Sequence, residues 1–187
     1  VSYMSFDKAF DGSAVAGDMV DLTFTIFNPD PFNSAQRIAF SDNLDAVISG
    51  LTAVSFPSIG FCGPSSELVE TDALYLVDGY LDPDSSCTFS VTLQIPAGVT
   101  PGSYLNTTSD LTVDGNNRSH PATDSLFIDP FVSINDVNVD EDAGTADFTV
   151  SLSDIAARDV EVDFTTGEGT ALAGLDFTAD TNTFLIP

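Results

Sequence analysis

Apolar and polar residues alternate with a period of two along most of this chain. In Asp18–Asn28 (DMVDLTFTIFN) the side chains of Val20, Leu22, Phe24 and Ile26 share one face, and Phe27 breaks the pattern at the end. Ser86–Pro96 (SCTFSVTLQIP) alternates through Cys87, Phe89, Val91, Leu93 and Ile95. Tyr3–Phe10 opens in the same way, and Arg37–Leu44 carries Ile38 and Phe40. Leu51–Phe56 and Leu74–Val77 are shorter runs. Tyr104–Val113 follows the Pro/Gly stretch PAGVTPGSY, and Ser125–Ile128 closes the series. Gly12–Gly17 reads as a turn, and Pro29, Pro31 and Asn33 as a loop. This period predicts strands, and turn signals at roughly 8–12-residue spacing predict an antiparallel β-sandwich. Helical spacing is nearly absent; DAVISGL at 45–51 and SDIAAR at 153–158 each have room for one turn.

The last third repeats the pattern in shorter pieces. Ala146, Phe148, Val150 and Leu152 alternate with Asp147, Thr149 and Ser151. Val160, Val162 and Phe164 then alternate with Glu161, Asp163 and Thr165. The other carboxylates gather where such strands would end: Asp140, Glu141 and Asp142 before the first, Glu168 and Asp176 after the second. Hard oxygens converging from strand ends suit calcium, which takes about 6–8 oxygen ligands in loose geometry. The competing reading is local: carboxylates accept backbone N–H bonds in turns, and nearby glycines supply positive φ.

Charge narrows the partners. The 187 residues hold 29 acidic and 4 basic side chains, a net charge of −25. Such a polyanion is repelled by phosphate backbones and anionic membrane surfaces, leaving cation binding or adaptation to a salty medium. Acidity alone suggests disorder. Here 43% of residues are hydrophobic, 15 of them Phe, and their regular alternation argues for folded cores. No apolar run is long enough for a membrane-spanning helix.

Cys62 and Cys87 have no second cysteine pair or histidine near them, so a zinc site is not expected. They form either a disulfide, which implies an oxidising, extracytoplasmic setting, or a buried pair of thiols. Two glycosylation sequons, at Asn106 and Asn117, fit an exported chain. The single histidine, His120, stands near Ser119 and Asp124, but no nucleophile elbow accompanies it and surface placement is expected. Without Trp a glycosidase cleft has little to line it. No EF-hand spacing occurs. No enzymatic activity is expected.

Two family resemblances sharpen this reading. DLTFTIFNPD, IAFSDNLDAVISGL and LDPDSSCTFSVTLQIPAGVTPGSYLNTTSDLT resemble DUF11-like and related Ig-like repeats of bacterial surface proteins, over most of residues 1–128. Asp45-Ala46 stands where those repeats place a proline after Leu44. The resemblance implies a spacer or structural module without catalytic residues, and the spacing of Cys62 and Cys87 matches a common arrangement in such repeats, supporting a disulfide.

Residues 139–144 (VDEDAG), 160–166 (VEVDFTT) and 169–177 (GTALAGLDF) resemble the first half of a Calx-beta domain, the calcium-binding sandwich of sodium–calcium exchangers and many bacterial surface proteins. Phe177 replaces the family's usual Tyr, and TNTFLIP resembles its next strand. The resemblance implies calcium ligands at Glu141 and Asp176, with Glu168 as a further candidate.

The expected architecture is therefore all-β: two tandem Ig-like antiparallel sandwiches, 1–128 and 129–187, the second incomplete. The boundary is placed near Asp129-Pro130, with Asp124, Asp129, Asp136 and Asp140 around it. The expected role is a structural or adhesive module of a bacterial surface protein, stiffened by calcium and joined to other domains or like subunits. Two alternatives stay open. One is a filament subunit assembled by strand complementation; the other is a carbohydrate-binding module using Tyr75 and Tyr80. No nucleic acid or membrane insertion is expected, and the location is extracellular.

Overall fold

The structure, a computed structural model, describes residues 3–70 and 73–187, and for Glu141 the backbone only. Among the described residues, sixteen strands and one short 3-10 turn, Glu141–Ala143, make it an all-β chain. The strands are β1 (Ser5–Phe10), β2 (Ser13–Val15), β3 (Met19–Asn28), β4 (Ala35–Asp42), β5 (Thr52–Ser55), β6 (Glu67–Glu70), β7 (Leu74–Leu81) and β8 (Ser85–Gln94). They continue as β9 (Gly102–Thr107), β10 (Leu111–Val113), β11 (Asn116–Ser119), β12 (Thr123–Asp129), β13 (Val132–Ile134), β14 (Val150–Leu152), β15 (Val160–Thr165) and β16 (Thr181–Ile186).

The two most regular runs of the sequence make the centre of the first layer. β3 pairs antiparallel with β8 over its whole length, Leu22 opposite Val91 and Phe24 opposite Phe89, in a sheet ordered β1-β3-β8-β5. A second sheet runs β11-β10-β4-β7-β6, and a third β2-β12-β9. The Ser109 amide donates to the Ser41 carbonyl at 2.8 Å, which ties the segment after β9 to β4. Phe6, Phe24, Phe40 and Phe89 meet in the interior. Phe24 lies 5.1 Å from Phe40 and 5.3 Å from Phe89, and Phe6 lies 4.7 Å from Phe40, centroid to centroid. Each such pair adds about 0.5–1.5 kcal/mol beyond its buried area.

Every buried side chain belongs to residues 4–130; among the described residues beyond Pro130 none is buried. That part holds two separate two-stranded ribbons, β13-β14 and β15-β16. In the second, Val160, Val162 and Phe164 share a half-buried face with Phe184 and Ile186, and the rings of Phe164 and Phe184 stand 6.2 Å apart. Phe131, Ile134, Phe148 and Leu185 are each more than half exposed.

The structure corrects several readings of the sequence. The expected turn at Gly12–Gly17 contains β2, which pairs in parallel with β12, Ser13 opposite Phe127. The strand expected over Tyr104–Val113 is two strands, β9 and β10, because the chain crosses from one sheet to another at Thr108–Asp110. β6, β11 and β13 had no clear period-two signal, being three or four residues long. The run from Ala146 forms a strand only at Val150–Leu152. Its partner β13 ends at Ile134, after which only Asn135 still bonds Thr149. Without a neighbour to complete the ladder, alternation does not make a strand.

Candidate functional site

The acidic loop after β15 is closed by its own carboxylates. Asp176 Oδ2 accepts from the Leu172 amide at 2.8 Å, and Glu168 Oε1 accepts from the next amide, Ala173, at 3.2 Å. The Gly174 amide donates to the Phe177 carbonyl at 2.8 Å, with φ of Gly174 at +80°, a value natural only to glycine. Two of the three expected calcium ligands are thus brought into one loop, where each also does the local work of a turn residue. The third, Glu141, sits in the 3-10 turn, and its side chain lies outside the described residues. Among the described residues no three His, Cys, Asp or Glu side chains are grouped to hold a metal.

At the expected boundary the acidic residues are engaged with the chain itself. Asp124 Oδ2 accepts from the Phe10 amide at 2.7 Å, joining β12 to β1, so its carboxylate is committed away from the exposed His120. Asp129 accepts from Ser13 and, at 3.0 Å, from Arg158, which also bonds Ser13 and stacks 5.3 Å from the Phe127 ring. Burial raises the Asp129 carboxyl, but the bonds from Arg158 and Ser13 outweigh it and hold the group below the ordinary carboxylate range.

Cys62 and Cys87 form a disulfide, with Cα atoms 5.5 Å apart. Cys87 occupies an inward position of β8 opposite Ile26, so the bond pins the 56–66 loop to the central strand pair. Gly63 follows at φ +100°, and Tyr80 is packed against it. Tyr80 is half-buried with its hydroxyl on Asp82, whereas Tyr75 is exposed on β7.

A further polar group was not anticipated from the sequence. Lys8 Nζ lies 2.8 Å from Asp42 Oδ2, and both side chains are fully enclosed. Asn106 Nδ2 donates to the same oxygen at 3.1 Å, and Asn106 too is wholly buried. Asp42 Oδ1 and Asn106 Oδ1 are buried without a hydrogen-bond partner. Lys8 Nζ also stands 5.7 Å from the centre of the Phe24 ring. Burial drives the Lys8 amine below its ordinary range; Asp42, and more distantly Asp124, pull it only partly back. The signal was present in the register: Lys8 falls between Phe6 and Phe10, Asp42 two after Phe40, and Asn106 two after Tyr104, all at inward positions. The buried Asn106 is closed to glycan attachment in the fold, contrary to what its sequon suggested.

No curated protein matches the chain. Among solved structures, the major pilin subunit of Bacillus cereus superposes with a TM-score of 0.51 at 14% identity, over 98% of this chain and 66% of that one. The sixth cohesin of Acetivibrio cellulolyticus scaffoldin B gives 0.49 at 13% identity, over 66% of this chain and 99% of that one. A non-cellulosomal cohesin from Archaeoglobus fulgidus gives 0.42 at 17%, over 67% and 91%. The likeness to the pilin is one of fold. Residues 5–128, which hold the enclosed core, the disulfide and the buried lysine, match the domain of unknown function DUF7933, and the chain belongs to that family.

Proposed function

We propose that the chain is a non-enzymatic structural or adhesive module of an extracellular surface protein, built as a 1–128 sandwich followed by a 129–187 β module that binds calcium. The contrast in burial carries this reading. Residues up to Pro130 enclose a disulfide-stapled core, while the following ribbons keep Phe131, Ile134, Phe148 and Leu185 largely exposed. A core tied by a disulfide and a buried ion pair suits a load-bearing body. Two-stranded ribbons are marginal alone and gain stability when an ion orders their loops or further strands cover them. The Calx-beta resemblance and the shared loop of Glu168 and Asp176 support calcium at that place. Glu141, backbone carbonyls, water or further strands would complete the shell.

Thermal melts in calcium, magnesium and chelator, with particle size followed by light scattering, test this. Calcium should raise the melting temperature of the C-terminal transition selectively, and Glu141→Ala or Asp176→Ala should remove the rise. Equal melts in all three media would reject the metal and leave a calcium-independent spacer.

A second reading rests on the same exposed apolar residues. The ribbons accept strands from a like subunit, and the chain assembles into a filament. Concentration-dependent growth in particle size, abolished by Phe148→Asp, would favour it.

A further inference from the structure

We propose that Lys8 and Asn106 become joined by an intramolecular isopeptide bond, with Asp42 carrying the protons of the reaction. Three observations converge on it. An amine, a carboxylate and a carboxamide are buried together, the amine 5.7 Å from the centre of the Phe24 ring. One carboxylate oxygen, Asp42 Oδ2, touches both the amine and the amide nitrogen, at 2.8 and 3.1 Å. The other oxygens of the site, Asp42 Oδ1 and Asn106 Oδ1, have no hydrogen-bond partner, an expensive arrangement for a group whose role is stability alone.

The chemistry follows from these contacts. In an apolar enclosure two opposite charges are relieved by moving the Lys8 proton along its hydrogen bond to Asp42, leaving a neutral, nucleophilic amine. Turning the Asn106 carboxamide by half a rotation presents Oδ1 to the protonated Asp42, which polarises the carbonyl. The Nζ lone pair attacks Cγ of Asn106 and forms the new C–N bond. Asp42 relays a proton from Nζ to Nδ2, the Cγ–Nδ2 bond breaks, and ammonia leaves, finally taking up the first proton as ammonium. One C–N bond is made and one broken, nothing is oxidised or reduced, and Asp42 ends as it began. Holding the amine and the carboxamide on one carboxylate oxygen replaces an activating reagent, and exclusion of water protects the product from hydrolysis.

The bond would tie β1 in the first layer to β9 in another sheet and close most of the family-matched span into a ring. It would stiffen the module whatever the ribbons bind, so its test stands apart from the calcium experiment.

Intact mass of the folded full chain, with the disulfide reduced, decides the matter. The expected mass is that of the sequence less one ammonia. Tryptic digestion should yield the Lys8 and Asn106 peptides as a single linked species uncut at Lys8. Lys8→Arg, Asp42→Asn and Asn106→Ala should each show the full sequence mass. Asn106→Asp keeps the shape of the site and should lose one water instead. A wild-type chain at its full sequence mass overturns the proposal whatever the variants do. Loss of one water with the link at Asp42 overturns it as well, and complete linkage in Asp42→Asn refutes the role of Asp42.

Discussion

Lys8 Nζ and Asp42 Oδ2 stand 2.8 Å apart with neither side chain reached by solvent, on strands of two different sheets. An ionic form of this pair carries a considerable desolvation cost, which the single further bond from Asn106 only partly offsets. The pair therefore fixes how β1 and β4 face each other more than it adds stability. The same enclosure makes the amine a nucleophile.

Removing one partner should be severe and removing both mild. In an Asn106→Ala background, where no link to Lys8 can form, Asp42→Ala strands a lysine in the core and is expected to cost about 3–5 kcal/mol, the usual penalty for an unpaired buried charge. In the same background the double variant Lys8→Met with Asp42→Leu should recover most of that loss. Denaturant unfolding of both variants checks this, and equal destabilisation would show that the pair's enclosure is not what matters.

The disulfide closes a loop between residues 25 apart in sequence. Its removal by Cys62→Ser with Cys87→Ser should cost about 3 kcal/mol by loop-closure entropy. Melting with and without reductant measures this directly. The wild type in reductant should match the double variant, and no difference would mean that the unfolded loop is already constrained.

Much of the sandwich was legible in the sequence because its long strands are paired on both sides. β8 alternates throughout and β3 up to Phe27, and Leu22, Phe24, Ile26, Val91 and Leu93 on them are wholly buried. The short strands were not legible. β2 exists because Ser13–Val15 lies beside β12, a neighbour remote in sequence. The Ala146 run fails for the converse reason, lacking a neighbour. The acidic loop was legible as a cluster, but its hydrogen bonds show carboxylates spent on amides, which spacing alone does not reveal. Lys8, Asp42 and Asn106 are hidden because a period-two pattern is carried by its apolar members, and a polar residue in the same register looks like a break in it.

The contact of Arg158 with Asp129 should fail in acid. Asp129 is held below the ordinary carboxylate range in the fold, so its ionised form contributes stability that is fully present above the unfolded value, 3.8. That contribution is lost as pH falls through the lower folded value. Both side chains are partly exposed, so the effect is modest, roughly 0.5–1 kcal/mol. Hydrogen exchange of the Phe127–Asp129 amides, compared at neutral pH and below pH 3.8, should show faster opening in acid. Arg158→Ala should open them at neutral pH and flatten the acid response. An unchanged acid response in that variant would assign it to another carboxylate.

Gly63 is the backbone position least able to change. Its φ is +100°, and an added Cβ would meet Tyr80 Cβ at 2.7 Å and the Tyr80 carbonyl oxygen at 2.9 Å. The backbone oxygen cannot withdraw, because β4 pairs with β7 at Gly79 and Leu81 on either side of it and the Tyr80 amide donates to the Cys62 carbonyl at 2.7 Å. Gly63→Ala therefore combines left-handed strain with a steric clash and should destabilise by more than the roughly 1–3 kcal/mol of the strain alone. Gly98→Ala is the control, since its Cβ would meet nothing within 4 Å, and a surface change of that kind stays within about 0.5 kcal/mol. Equilibrium unfolding of the two variants separates the effects. A Gly63→Ala chain as stable as the control would mean that the 56–66 loop shifts freely despite the disulfide beside it.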